Sequence, residues 1–280
     1  MKKLLLCAFI AGLLPLPFTA VDFVKAADTP AKSDAAPGTR RRTVLPVPGD
    51  ADKAMADGGS FVQTAAPAAD DGLSAQAIVD MVMMSRALGK DDKDGVTFPG
   101  ELNRGGKSVP FKVQVLPTLI RFYFENPKQN ISLDTNEKGF RLREVTAGSN
   151  KEVPASMYSS GVRGTDLTYD DISMRYLYWP SKQKIGEETI KTRKCYVVDL
   201  KNPQKLGEYY LVRIFVDKKS GGLMRMMAYG WDGKLIKSCT VTAGMKVNGT
   251  TVMQTMEVIR YVPGTMKVAG ETTFELKKPK

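Results

Sequence analysis

The sequence predicts a mainly β protein of the α+β class, a large antiparallel meander with very few helices. Three observations carry this. From about residue 95 onward, apolar and polar residues alternate with a period of two in one segment after another. Turn signals fall between those segments at hairpin spacing: 217–222, Trp231-Asp232-Gly233 and Asn248-Gly249. Only two places, near residues 74 and 168, carry helix-start signals.

The chain opens with a secretory signal. Lys2 and Lys3 precede an apolar run from Leu4 to Leu16, too short for a good membrane span and interrupted by Pro15. Val24-Lys25-Ala26 supplies the small or branched residues of a cleavage site, so residues 1–26 are expected to be removed. Cys7 comes too early for lipid attachment. Residues 27–72 are rich in Ala, Pro, Asp and Gly and read as a disordered linker. Its run Arg40-Arg41-Arg42 is a solvated basic stretch able to touch an anionic membrane face. A single ordered domain is expected over 73–280.

That domain should begin with a helix over 73–88. Ser74 is placed as N-cap, with Leu73 and Ile78 as a hydrophobic staple. Ile78, Met81, Val82, Ser85 and Leu88 recur at helical spacing, and Gly89 ends the run. Strands follow at 111–115, 120–124, 131–133 and 139–142. Long strands are expected at 193–200, 208–217, 222–230, 234–247, 250–262 and 271–277.

Between the two groups of strands lies Gly164-Thr165-Asp166-Leu167-Thr168-Tyr169-Asp170-Asp171-Ile172, running on to Tyr178-Trp179-Pro180. Thr168 is placed as N-cap with Asp171 completing a capping box, and Leu167 and Ile172 form a staple. Asp170 and Asp171 suit the positive end of a helix dipole, and Pro180 should stop the helix about three turns later.

Composition narrows the function. The chain carries a net charge of +11. Residues 1–26 hold three lysines and one aspartate, so the mature chain keeps +9. A basic exported protein points to anionic surfaces such as phospholipid headgroups, and no nucleic-acid motif is present. Histidine is absent, which excludes Ser-His-Asp and Cys-His catalysis and removes the commonest zinc ligand. Cys195 and Cys239 remain after cleavage, either as two buried free thiols or as a disulfide that an oxidising compartment permits.

Several patterns fail on inspection. Lys90 to Glu101 resembles a calcium loop, but a cation stands where its first carboxylate belongs. The stretch from Gly100 to Ser108 has the wrong spacing for a phosphate loop, and Pro110 forbids the helix it needs; it reads as a hairpin turn. Asp170-Asp171 fits capping better than acid/base chemistry, and Glu187-Glu188 reads as a solvated turn. With no pair of carboxylates set in a cleft, a glycan-acting enzyme is disfavoured, and neither cofactor nor metal is expected.

The motif at 164–180 resembles the signature of the outer-membrane lipoprotein-sorting family, the LolA-like periplasmic carriers. The segments at 195–200, 210–217, 223–229 and 231–237 resemble the strands that follow it in that family. The resemblance covers roughly residues 73–277. It implies a half-open antiparallel β-barrel with helices as a lid over an apolar cavity for acyl chains of lipoproteins or lipids. It also implies a periplasmic, non-enzymatic protein, expected as a monomer that meets an envelope membrane or a membrane-bound partner protein.

Methionines concentrate in the C-terminal strands and suit a surface for variable apolar ligands. By alternation Met224 and Met226 should share one face, and Met227 the other with Leu223 and Tyr229. With Phe122, Phe124, Ile214 and Val216 they are the candidate cavity lining. On the resemblance, Ile172, Tyr176 and Trp179 become lid residues. The carriers also hold the lid with a cavity arginine, for which Arg213 and Arg225 are the candidates here. The alternative is a periplasmic sensor or interaction module of the same fold binding a protein partner.

Overall fold

In a computed structural model of the chain, residues 72–85, 95–136, 139–146, 148–247 and 250–279 are described. The expected signal segment, the linker up to residue 71, Arg40–Arg42, Leu88, Gly89 and the Asn248-Gly249 turn lie outside them, as do residues 90–94 of the calcium-like loop.

Thirteen strands form one curved, open antiparallel sheet. They are β1 (Val96–Arg104), β2 (Lys107–Val115), β3 (Leu119–Phe124), β4 (Gln129–Asn136), β5 (Gly139–Thr146), β6 (Ser149–Glu152), β7 (Ser181–Ile190), β8 (Arg193–Lys201), β9 (Leu211–Asp217), β10 (Leu223–Tyr229), β11 (Leu235–Val247), β12 (Thr250–Tyr261) and β13 (Val268–Leu276). The spatial order runs β6-β5-β4-β3-β2-β1-β13-β12-β11-β10-β9-β8-β7. The chain therefore walks outward from the centre to one edge, crosses over through residues 153–180 to the other edge, and walks back until β13 pairs with β1. Each half is a meander of hairpins, which is why turn signals spaced along the sequence could reveal it.

The alternation of the strands sorts side chains onto two faces. One register row runs Phe98, Val113, Phe122 and Ile131 across β1 to β4. Another runs Val198, Ile214, Met226, Cys239, Val258 and Thr272 across β8 to β13. Both belong to the inner face. A smaller cluster of Ile190, Cys195, Val197 and Phe215 occupies the outer face near β7. The edge strands are β6, four residues long and largely exposed, and β7, which carries Lys182, Lys184, Glu187 and Glu188. Short or charged edges discourage pairing with another chain.

Two helical pieces cover the inner face. Helix α1 (Ala75–Ser85) packs on β7 and β8. Ser74 caps it, accepting from the Ala77 amide at 3.1 Å, and Ile78, Val79 and Val82 are fully buried. The crossover holds α2 (Tyr169–Ser173) and packs on β5 and β8. The capping box is present: the Thr168 side chain accepts from the Asp171 amide, and Asp171 accepts from the Thr168 amide.

Some expectations need correcting. The motif helix does not run three turns to Pro180. It ends after five residues at Met174 (φ 48°, ψ 34°), and a single 3-10 turn, Arg175–Tyr178, follows. A non-glycine residue in that left-handed conformation costs about 1–2 kcal/mol. The return is that Arg175 folds back onto Asp170, as described below. Glu187 and Glu188 lie within β7 rather than in a turn. Gly100 to Arg104 belongs to β1, and the hairpin turn is Gly105-Gly106 alone.

Gly100 has a packing reason. A Cβ there would lie 2.5 Å from the Phe111 ring and 2.7 Å from the Glu275 carbonyl oxygen. Gly100→Ala should therefore lower unfolding free energy by about 1–3 kcal/mol, read as a lower urea midpoint at unchanged slope.

Candidate functional site

The inner face is one continuous apolar cluster. Phe122 and Phe124 lie on it at the β1–β4 end, with their ring centroids 6.0 and 5.9 Å from that of Phe111. Ile214, Val216 and Met226 lie on it at the β8–β12 end, each fully buried. Ile172, Tyr176 and Trp179 come down onto it from the crossover, with Tyr176 edge-on to Trp179. The structure thus brings eight of the nine expected cavity and lid residues together.

The motif residues around them form a buried polar lock. Asp166 is 3% exposed and accepts from the Thr272 hydroxyl on β13 at 3.0 Å and from Arg104 Nε on β1 at 2.7 Å. Asp170 receives Arg175 Nε at 2.5 Å and Nη2 at 3.0 Å. Asp171 receives the Tyr209 hydroxyl at 2.7 Å on one oxygen and Lys237 Nζ at 2.8 Å on the other. Lys237 is 1% exposed and also stands 3.9 Å from Glu208, which pairs with Arg260. Tyr169 donates to Glu144 on β5. Gly164 (φ 73°) follows Arg163 (φ 56°), and this left-handed pair turns the chain into the motif, where the Thr165 hydroxyl donates to the Val162 carbonyl.

The electrostatics are those of a fastening. Burial pushes the Asp170 carboxyl up, and the paired Arg175 draws it part of the way back. Burial likewise raises Glu208 against the pull of Lys237 and Arg260. Tyr169 is pushed up to about 12, by burial first and then by Glu144. Both Asp170 oxygens are occupied by Arg175, so this raised carboxyl is a strut rather than an acid held for a substrate. Among the described residues, no group of three His, Cys, Asp or Glu side chains could hold a metal ion.

Beside this site the sheet splits. Pairing of β10 with β11 begins at Arg225 and Thr240, so β11 runs on unpaired by β10 from Val241, where its pairing with β12 shifts register twice near Ala243. The resulting cleft has a volume of about 280 Å³ and is lined by Leu223, Met224, Val241, Val252 and Met253, with Lys191 at its rim.

Solved structures share this fold. A domain from Vibrio parahaemolyticus described as an outer membrane lipoprotein-sorting protein superimposes with a TM-score of 0.57 at 13% identity, covering 72% of this chain and 90% of that one. A LolA superfamily protein from Nitrosomonas europaea gives 0.52 at 12% identity, covering 74% and 92%. The fold is LolA-like. A DUF1329 family protein from Desulfovibrio piger shares it too, with a TM-score of 0.55 at 15% identity, covering 73% of this chain and 92% of that one. A family model described as "Uncharacterized protein" matches residues 146–279, the crossover and the second half of the sheet. No curated protein sequence matches the chain.

Within this LolA-like frame two sequence expectations change, those for Met224 and for the cavity arginine, and the cysteines take the first of their two alternatives. Met224 does not share a face with Met226. A β-bulge between Leu223 and Arg225 inserts one residue, so Leu223 and Met226 point inward while Met224 and Met227 join the outer cluster. Cys195 and Cys239 are free thiols, not a disulfide. They stand three strands apart, about 14 Å at ordinary strand spacing, on opposite faces. Arg213 and Arg225 sit on the outer side, Arg213 bonded to Asp199 and Arg225 over Phe215 beside Glu188. Among the described residues the buried cations are Arg175 and Lys237. Neither is singled out by its neighbours in sequence: Arg175 stands five residues after Asp170 in the crossover, and Lys237 looks like any strand lysine.

Three outcomes follow from this geometry. Lys237→Met leaves Asp171 buried with one oxygen unpaired by charge, and should cost about 3–5 kcal/mol. Adding Asp171→Asn should cost much less than a second full penalty, which a double-mutant cycle in urea would measure. The Cys195 thiol is held from its ordinary 9.0 up to about 12 by burial and by Asp217. Unfolded, it ionises first, so stability should fall as pH rises from 9 toward 12, and Cys195→Ala should flatten that slope. Both thiols should react with an aromatic disulfide reagent only after unfolding, and reductant should leave the melting temperature unchanged.

Proposed function

We propose that this protein is an exported carrier that takes up acyl chains of lipids or lipoproteins against the inner face of its sheet. The observation that carries the reading is the contrast between its two covers. The crossover is fastened by ion pairs to β1 and β11 and by a hydrogen bond from Thr272 of β13. Helix α1 docks through three aliphatic side chains, Ile78, Val79 and Val82. Those are worth about 1.5–3 kcal/mol each. An acyl chain returns about 0.8 kcal/mol per buried methylene, so roughly six to eleven methylenes match the helix. Ligand and helix then compete for one apolar face, which keeps binding reversible.

The mechanism is passive transfer and calls for no bond-breaking group. The cleft between β10 and β11 is the entry we assign, because Leu223, Val252 and Met253 belong both to it and to the core. Met81 of α1 borders the nearby turn, within 3.2 Å of where a Cβ on Gly221 would lie. Loosening α1 would widen that entry.

Binding of a fluorescent fatty acid tests the reading. Val82→Ala should tighten binding by up to about tenfold, because it weakens the competing helix. Met226→Asp should abolish it, and Met226→Ala should weaken it without unfolding the domain. Failure of the wild-type protein to bind the probe, or a Val82→Ala variant that binds less tightly, would contradict a carrier and leave a protein-binding module.

A further inference from the structure

Exposed apolar side chains gather at one end of the sheet, where three hairpin loops meet. Leu206 lies in the β8–β9 loop, Trp231 in the β10–β11 turn, and Val262 and Met266 in the β12–β13 turn; they are 39–47% exposed. The loops touch one another. Trp231 Nε1 donates to the Gly207 carbonyl at 3.0 Å, and its ring lies 5.5 Å from that of Tyr210. A Cβ on Gly264 would be 3.0 Å from the Lys234 side chain. The rim is also rigid at its base, because Arg175 of the crossover donates to the Leu206 carbonyl at 2.7 Å and Asn202 donates to the same atom.

The charges interleaved with these side chains are mostly positive. Lys205 and Lys267 are exposed, and Lys201 lies over the Tyr210 ring at 5.1 Å. The acids nearby are matched: Asp232 is 3.6 Å from Lys234, and Glu208 pairs with Arg260. Single exposed apolar residues are ordinary on a protein surface, but a contiguous set anchored on a tryptophan and ringed by lysines is not. Tryptophan and tyrosine favour the boundary between hydrocarbon and water, and lysine stems lie along apolar surface while their ammonium groups reach anionic headgroups.

We propose that this three-loop rim docks on the surface of an anionic phospholipid bilayer, with Trp231, Leu206 and Met266 entering the headgroup layer and Lys205 and Lys267 meeting lipid phosphates. The contact needs no ligand on the inner face, so it stands apart from the carrier reading.

Trp231 reports on its own environment, because the chain has two tryptophans and Trp179 is buried. Full-length protein would be mixed with phosphatidylglycerol vesicles and, separately, with phosphatidylcholine vesicles. Expected with phosphatidylglycerol is a blue shift of the emission and quenching by brominated acyl chains, both lost in Trp231→Phe. Partitioning should fall about fivefold for each of Lys205→Gln and Lys267→Gln, and should weaken with salt. Leu206→Ser with Met266→Ser should reduce it further while fatty-acid binding stays intact. Vesicle binding that leaves Trp231 emission unchanged would mean another surface makes the contact and would overturn the proposal. So would equal binding to both lipids, or no binding at all.

Discussion

The structure depends on three buried carboxylates in the crossover, each matched by a cation, two of which come from the sheet. Asp166, Asp170 and Asp171 are at most 3% exposed. An ionised carboxylate taken out of water costs several kcal/mol unless it is paired and hydrogen-bonded. Arg104 from β1, Arg175 from the crossover itself and Lys237 from β11 supply the pairing. The crossover is the strap between the two edges of an open sheet. Fixing it over β1, β11 and β13 at once fixes how the two meanders face the same apolar space. A small displacement of the strap would strand several charges together, so the geometry admits little intermediate movement.

Helix α1 obeys different physics. Its docking face is aliphatic, and its N-cap is satisfied within its own first turn. Detaching it exposes apolar surface but strands no buried charge. One cover is therefore held by a cooperative polar network and the other by an exchangeable hydrophobic contact. On the proposed carrier reading, an acyl chain substitutes for the second kind of cover and not for the first. The same strap also anchors the Leu206 loop, so the proposed membrane rim and the proposed acyl-binding face hang on one segment.

The regular parts of this architecture were legible in the sequence. Thr168 and Asp171 announced their capping box, Ser74 its cap, and the alternation at 120–124 and 210–217 placed Phe122, Phe124, Ile214 and Val216 on the face where they are found. What escaped was produced by irregularities that a strict period cannot register. One bulged residue beside Leu223 moved Met224 to the outer face. A left-handed Met174 cut the motif helix to five residues. The acids Glu187 and Glu188, which read as a turn, sit on an edge strand where charge is useful. Asp170 was read as a helix-dipole residue, and Lys237 was not singled out, because what defines each is a partner and not its neighbours in sequence. The placement of Cys195 and Cys239 on opposite faces likewise follows from strand order, which hairpin spacing alone leaves open.

The central claim is that the strap holds while α1 yields. Amide hydrogen exchange across the domain, with and without a saturating fatty acid, tests it most directly. The account predicts that the ligand speeds exchange in residues 75–85 while residues 169–178 keep their protection. Loss of protection in both segments together, or acceleration in the crossover with α1 unchanged, would contradict it.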